Sequence, residues 1–273
     1  MLNKNYRNSK KKLRIVACIQ ARMGSTRLKK KALIKILGKT LIEHIFERLK
    51  GAEELDDIVL STSINQENDI LIKHARDIAL KYYRGSEKDL ISRLYQTAKK
   101  FKADAIVRIT ADCPLVDPNL IDKMVKIYRE SYKRIDFMTN VFPPTFPDGL
   151  DIDISPYPIL KKLNAEVKNP LFREWCTVYI MENPKKFRIY NFKNSANLSA
   201  MRWTVDYIED LAFVRKVYDA LNRKDKIFNM NDILAFLKRK PQVLKINEKR
   251  IDRTVIRGIR SGAYHQLKQS KNK

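Results

Sequence analysis

Apolar and polar positions follow two alternating rhythms along this chain. Ile15-Val-Ala-Cys-Ile19 is an unbroken apolar run, closed by Ala21, which is the pattern of a strand buried on both faces. Residues 41–50 then place Ile42, Ile45, Phe46 and Leu49 at helical spacing, and residues 57–62 read as a second buried strand. The pattern repeats: a helix over 69–80, a short strand over 81–84, a helix over 89–101 with Leu90, Leu94, Tyr95, Ala98 and Phe101 on one face, and a strand over 105–110. Strands alternating with amphipathic helices predict an α/β fold, a mostly parallel sheet wound right-handed with helices on both faces. Ligands of such sheets bind beyond the carboxyl ends of the strands, so the segments after Ala21, around Arg84 and after Thr110 are expected in one crevice.

From Phe137 the rhythm changes. A proline-rich stretch, Phe142-Pro-Pro-Thr-Phe-Pro147, leads into Asp148-Gly-Leu-Asp-Ile-Asp-Ile154, where Leu150, Ile152 and Ile154 predict a strand with Asp151 and Asp153 on its other face. That composition fits a loop covering a substrate, and equally an exposed edge strand. Residues 201–206 read as a further strand ending in an acid, followed by helices over about 209–220 and 231–239, and residues 243–246 are expected to close the fold. No internal repeat is seen.

The residues after Ala21 bring in chemistry. Arg22, Gly24, Ser25, Thr26, Arg27 and Lys29 to Lys31 combine a small-residue turn, hydroxyls and cations, which suits a polyphosphate. A solvated basic face is the simpler alternative. The segment is not a Walker loop, and no Gly-x-Gly-x-x-Gly occurs. Asp112 ends a strand just before Cys113-Pro114, where a carboxylate can ligate Mg²⁺; a helix cap competes as an explanation, although Asp117 is better placed to cap a helix starting near Pro118.

Composition narrows the picture. The chain has 273 residues, 44% of them hydrophobic, enough for a substantial core. No apolar run approaches the roughly 18 residues of a membrane span, and the basic N-terminus does not resemble a signal peptide, so a cytoplasmic location is expected. Cys18, Cys113 and Cys176 have no metal-like spacing and are expected to be free thiols. The net charge of +25 raises nucleic-acid or anionic-surface binding as a reading. Residues 1–14 carry six basic and no acidic side chains and residues 248–273 eight basic and two acidic, which leaves +13 for 15–247. With nearly half the excess at the ends and no nucleic-acid motif in between, no specific nucleic-acid partner is expected.

Five segments together carry a resemblance. Gln20-Ala-Arg-Met-Gly-Ser-Thr-Arg-Leu28, Arg84-Gly-Ser-Glu87 with Asp89 and Arg93, Arg108-Ile-Thr-Ala-Asp-Cys-Pro-Leu-Val-Asp-Pro118, Asp148-Gly-Leu-Asp151, and Arg202-Trp-Thr-Val-Asp206 with Glu209-Asp210 occur in this order. Over residues 14–247 the chain resembles the cytidylyltransferases of the spore-coat polysaccharide biosynthesis protein F type, relatives of the synthetases of CMP-sialic acid and CMP-KDO. The resemblance implies a Rossmann-like, GT-A-like sheet in a single domain over 14–247, with an acceptor-binding insertion at about 137–192 between basic tails at 1–13 and 248–273, the first expected to be disordered. It implies transfer of CMP from CTP to a sugar acid or related hydroxyl in surface polysaccharide or glycan synthesis. A nucleotidyltransferase using another NTP or a sugar phosphate is the alternative.

By the same resemblance, Ala21, Arg22, Met23, Gly24, Ser25, Arg27, Lys31, Arg84, Ser86 and Asp89 bind CTP, with Arg22 and Lys31 catalytic. Asn140, Asp148, Asp151, Arg173 and Glu174 bind the acceptor, and Asp112 and Asp206 hold Mg²⁺, with a helix N-cap as the competing role for Asp206. A homodimer is compatible with the resemblance. Two departures stand out: Trp175 replaces the histidine of relatives that read Arg-Glu-His, and Lys29-Lys30 replace the Pro-Gly of Leu-Pro-Gly-Lys. Lys31 keeps the family lysine.

Overall fold

The computed structural model describes residues 12–251 apart from Thr26 and Asp225. The chain begins with β1 (Ile15–Gln20), then a small hairpin of β2 (Lys35–Ile36) and β3 (Lys39–Thr40), α1 (Leu41–Lys50), β4 (Asp57–Ser63), α2 (Asp69–Asp77), β5 (Lys81–Gly85), α3 (Leu90–Lys100) and β6 (Ala105–Thr110). There follow α4 (Pro118–Ser131), β7 (Phe137–Thr139), β8 (Asp153–Pro156), α5 (Tyr157–Glu166), α6 (Pro170–Glu174), α7 (Cys176–Glu182), β9 (Ile189–Asn191), α8 (Ile208–Leu221) and α9 (Met230–Arg239).

Seven strands form one sheet in the order β5-β4-β1-β6-β8-β7-β9. The first four are mutually parallel, β8 runs antiparallel between β6 and β7, and β9 is parallel to β7. This is the mostly parallel α/β sheet expected of the sequence. The two-residue side-chain period explains why β1 is apolar throughout. Ile15, Ala17 and Ile19 join a core with residues of α1, α2, α4, α8 and α9, while Val16 and Cys18 face the core built with α3, α5 and α7.

The topology also locates a crevice. From β1 the chain steps outward through β4 to β5, then returns to place β6 on the other side of β1, so the strand order reverses between β1 and β6. Gln20 and Thr110, the last residues of these two strands, are paired in register, which sets the loop after Ala21 beside the loop holding Asp112.

Three local expectations need correction. The helix expected over 69–80 ends at Asp77 because Ala79 turns left-handed (φ 55°). The strand expected over 150–154 starts only at Asp153; Asn140 instead clamps the approach, donating to the Leu150 carbonyl (2.7 Å) and accepting from Ile152 N–H (2.9 Å). Asp153 is not on an open face: it is buried, accepting from Arg108 and Thr139 at 2.7 Å each. Residues 201–206 form no strand, only an isolated bridge at Arg202 followed by bends at Thr204 and Asp206, because their backbone bonds are divided between two loops. Met201 and Trp203 pair with the backbone of Asp148, and Val205 N–H donates to the Asp112 carbonyl. Residues 241–246 close the fold as a 3₁₀ turn with Val243 buried.

The unanticipated hairpin depends on local chemistry. Leu37 (φ 47°) and Gly38 (φ 82°) make a two-residue turn with both central residues in the left-handed region, which matches the twist of paired strands. Thr40 then caps α1, accepting from Glu43 N–H while the Glu43 carboxylate accepts from Thr40 N–H.

Candidate active site

The loop after β1 is fastened before it turns. Ala21 N–H donates to the Ser61 carbonyl, and Met23 N–H donates to Asn68 Oδ1 at 2.8 Å, with Asn68 itself held by Ser63. Gly24 needs no special conformation, since a Cβ there would meet its nearest neighbour, Glu67, at an ordinary 3.4 Å. Lys30 is different: it sits at φ 54° just before the 3₁₀ turn Lys31–Leu33. The conformation that a glycine takes freely is thus imposed on a lysine at the position where relatives read Gly. The loop aims Lys31 inward while Lys29 stays exposed.

Lys31 gathers the two carboxylates that the sequence singled out. Its ammonium donates to Asp112 Oδ2 and Asp206 Oδ1, at 2.8 Å each, and to the Val205 carbonyl at 3.2 Å. Backbone bonds make this meeting possible, since the Asp112 carbonyl accepts from both Val205 N–H and the Thr204 hydroxyl. Neither acid is a helix cap. Asp117 caps α4, and the residue before α8 is Tyr207, whose N–H donates to Asp210. Arg27 adds a second cation 2.8 Å from Asp206 Oδ1.

The charges sustain one another. Burial alone would push the Asp112 carboxyl up, but the adjacent Lys31 ammonium outweighs it and holds Asp112 well below the usual carboxylate range. Burial likewise disfavours the Lys31 ammonium, and the Asp112 and Asp206 carboxylates more than restore it, leaving its pKa raised. Asp112 is therefore an anion and Lys31 a cation at any ordinary pH.

The remaining expected residues fall into separate groups. Arg22 lies 3.3 Å from Glu87 and 3.8 Å from Glu174, so the loop after β1 meets the α6 segment. Asp89 caps α3 and pairs with Arg173 at 2.7 Å, while Ser86 Oγ accepts from Asp89 N–H. Arg84 turns away from these, donating to the carbonyls of Ser63, Ile64 and Asn65 and pairing with Asp69. Ser25 N–H donates to the Met23 carbonyl in the loop itself. Asn140 is committed to the backbone clamp described above, Asp148 pairs with Arg202 at 2.9 Å, and Asp151 is half-buried between that clamp and β8. Trp175, between α6 and α7, leaves 38% of its surface exposed.

Comparison with known proteins places the chain in a family. A profile of the cytidylyltransferase family matches residues 16–233. The chain belongs to the cytidylyltransferase family. A solved cytidylyltransferase from Leptospira borgpetersenii superposes with a TM-score of 0.81 at 34% identity, covering 85% of this chain and 97% of that one. The spore coat polysaccharide biosynthesis protein SpsF of Bacillus subtilis is 27% identical over 83% of this chain and 95% of its own length. A 3-deoxy-manno-octulosonate cytidylyltransferase from Elusimicrobium minutum is 28% identical over 66% of this chain and 75% of its own. This cytidylyltransferase is accordingly a nucleotidyltransferase on a Rossmann-like sheet.

Sequence reasoning left several of its site residues without a role. Arg202 and Asp210 lie inside a quoted motif but show their importance only through their partners, described below. Gln20, Arg108, Thr139 and Asp153 form a chain of side-chain bonds across the carboxyl end of the sheet. Asp153 was masked by its place in an alternating pattern that suggested solvent. The three cysteines of the cytidylyltransferase are free and buried, and burial pushes the Cys18 and Cys176 thiols up to about 11, so they are protonated and inert near neutrality.

Proposed function

We propose that this member of the family transfers the cytidylyl group of CTP to the hydroxyl of a sugar acid or related acceptor, giving a CMP-conjugate and pyrophosphate for surface polysaccharide or glycan synthesis. The observation that carries the reading is the meeting of Lys31, Asp112 and Asp206 within 2.8 Å contacts beside a basic loop. In the reaction the acceptor oxygen bonds to the α-phosphorus as the bond to the bridging oxygen of the β-phosphate breaks, and pyrophosphate departs. The protein's part is to position and to neutralise charge. Arg22, Arg27 and Lys31 hold the phosphates, with Ser25 donating from the same loop. Asp89, Ser86 and Arg84 frame the nucleoside, and Asp148, Asp151, Asn140, Arg173 and Glu174 frame the acceptor.

Asp112 and Asp206 suit Mg²⁺. Among the described residues there is no group of three or more His, Cys, Asp or Glu able to hold a metal, but Mg²⁺ characteristically takes only one or two carboxylates and completes its shell with water and phosphate. The Lys31 ammonium, paired with both acids, supports a site that favours positive charge. Bound there, Mg²⁺ supplies neutralisation of the charge that develops on the α- and β-phosphates. No helix among the described residues is long and apolar enough to cross a membrane. A homodimer belongs to the same reading and is checked by light scattering.

The test is pyrophosphate release from CTP, UTP, ATP and GTP in the presence of Mg²⁺ and a panel of sugar acids. CTP with at least one sugar acid is the expected productive pair. Turnover of UTP with sugar phosphates, and none of CTP, would replace this reading with the other nucleotidyltransferase class.

A further inference from the structure

Arg202 has no part in the roles assigned above, yet its guanidinium is fully committed to carboxylates beside the site. Its Nε and one terminal nitrogen form a fork on Asp210, at 2.9 Å to each oxygen. The same terminal nitrogen reaches Asp206 Oδ2 at 3.2 Å, and the other donates to Asp148 Oδ2 at 2.9 Å. One guanidinium therefore touches three carboxylates, and the fork itself is buried, with Arg202 nearly and Asp210 completely out of solvent.

The anchor is rigid. Asp210, in the first turn of α8, also accepts from the N–H groups of Asp206 and Tyr207 and from Asn247 Nδ2, whose second bond goes to the Arg202 carbonyl. Against burial, the Asp210 bonds and the Asp148 and Asp206 charges raise the Arg202 pKa, so it stays a cation. Asp206 is then divided between two sides: Oδ2 is held from behind by Arg202, and Oδ1 alone faces Lys31 and Arg27.

We infer that Arg202 is a positioning residue that fixes the rotamer of Asp206, presenting Oδ1 to the phosphate side of the site. The inference rests on the proposed role of Asp206 as a metal ligand. Groups that orient a ligand in this way are typically worth about 10- to 100-fold in metal affinity. The fork is the feature that matters, since a lysine carries the charge but has no planar pair of donors.

The experiment measures Mn²⁺ binding to the full chain by the electron paramagnetic resonance of the free ion, with CTP present and no acceptor. R202K is expected to lose about 10- to 100-fold in Mn²⁺ affinity, while its binding of CTP in EDTA and its circular-dichroism spectrum are unchanged. D210N removes the fork's anchor without touching Arg202, is expected to lose Mn²⁺ affinity likewise, and serves if R202K does not fold. Wild-type Mn²⁺ binding in R202K or in D210N overturns the inference. D206N separates the two readings: Mn²⁺ lost in D206N but kept in R202K and D210N refutes the role of Arg202 alone, whereas Mn²⁺ kept in D206N refutes the metal reading and this inference with it.

Discussion

Lys31 Nζ and Asp206 Oδ1 stand 2.8 Å apart although the two residues come from opposite ends of the fold, one from the loop after β1 and the other from the segment before α8. A charge-assisted contact of this kind is strong only while both partners are kept from water, and both are largely buried. CTP binding must draw on the same ammonium. Lys31→Ala is therefore expected to weaken CTP by about 10- to 150-fold, the equivalent of roughly 1.5–3 kcal/mol. Lys29→Ala, at an exposed position, should leave CTP affinity near wild type in the same calorimetric titration. Equal losses would mean that the register of the loop has been misread.

The competing roles of Asp206 now separate cleanly. Because Asp210, and not Asp206, accepts the backbone N–H groups that open α8, Asp206→Asn keeps the helix start intact. It should lower Mg²⁺-dependent turnover by at least about 10², with a circular-dichroism melt that still shows one cooperative transition. Near-normal turnover at low Mg²⁺ would remove the two-carboxylate site.

Two backbone positions predict opposite effects. Lys30 bears a Cβ at φ 54°, so Lys30→Gly should stabilise the chain by about 0.5–1 kcal/mol, visible as a rise in Tm of about 1–4 °C. Gly149 (φ 113°) lies against Trp203 and Thr204, where a Cβ would come within 2.5 Å of a backbone nitrogen. Gly149→Ala should cost about 3 kcal/mol and separate Asp148 from Arg202. A melt of Gly149→Ala at the wild-type temperature would contradict this account of the loop.

The pH dependence follows from the direction of each shift. The Asp112 pKa is lowered by folding, so its contribution to stability is present above the ordinary carboxylate value and lost as pH falls through the folded one. The Lys31 pKa is raised, so its contribution is present below the ordinary lysine value and lost only as pH rises through the folded one. Urea titrations of wild type and Asp112→Asn should differ by a constant amount from about pH 5 to about pH 9, with the gap closing in stronger acid. A gap that closes between pH 5 and 7 would contradict the Lys31–Asp112 pairing.

Removal of residues 1–12 and 252–273 should leave cytidylyl transfer intact. The residues brought together at the site lie inside what remains, and Lys12, the one described residue of the removed ends, makes a long, exposed contact with Asp56. Loss of CTP turnover in a truncated protein that still folds would bring the ends into the site.

What could be read from the chain, and what could not, divides by range. β1 was legible because it is buried on both faces and apolar from Ile15 to Ile19, and β4 and β6 because each carries an apolar run, Ile58 to Leu60 and Ala105 to Val107. The carboxyl-end crevice followed from alternation alone, and Asp112 was found because it follows such a strand. Residues 201–206 looked like a strand because Met201, Trp203 and Val205 alternate, but their partners are single residues in loops remote in sequence, a pairing no local period encodes. Asp153 failed for a related reason: polar residues at alternate positions suggest solvent unless an Arg108 waits on the neighbouring strand. Arg202 was visible as part of a motif, yet its three acidic partners come from two segments that only the fold joins.

The backbone link between Val205 and the Asp112 carbonyl has a consequence for how this family can diversify. Asp112 and Asp206 are brought together by the Asp112 carbonyl, which accepts from Val205 N–H and the Thr204 hydroxyl, and none of these residues lies in 157–199, which carry α5, α6, α7 and β9. Under the proposed roles, grafting that stretch with its Trp175 position from a relative is expected to change acceptor preference while nucleotide binding persists, provided that the Arg22–Glu174 and Asp89–Arg173 contacts are kept.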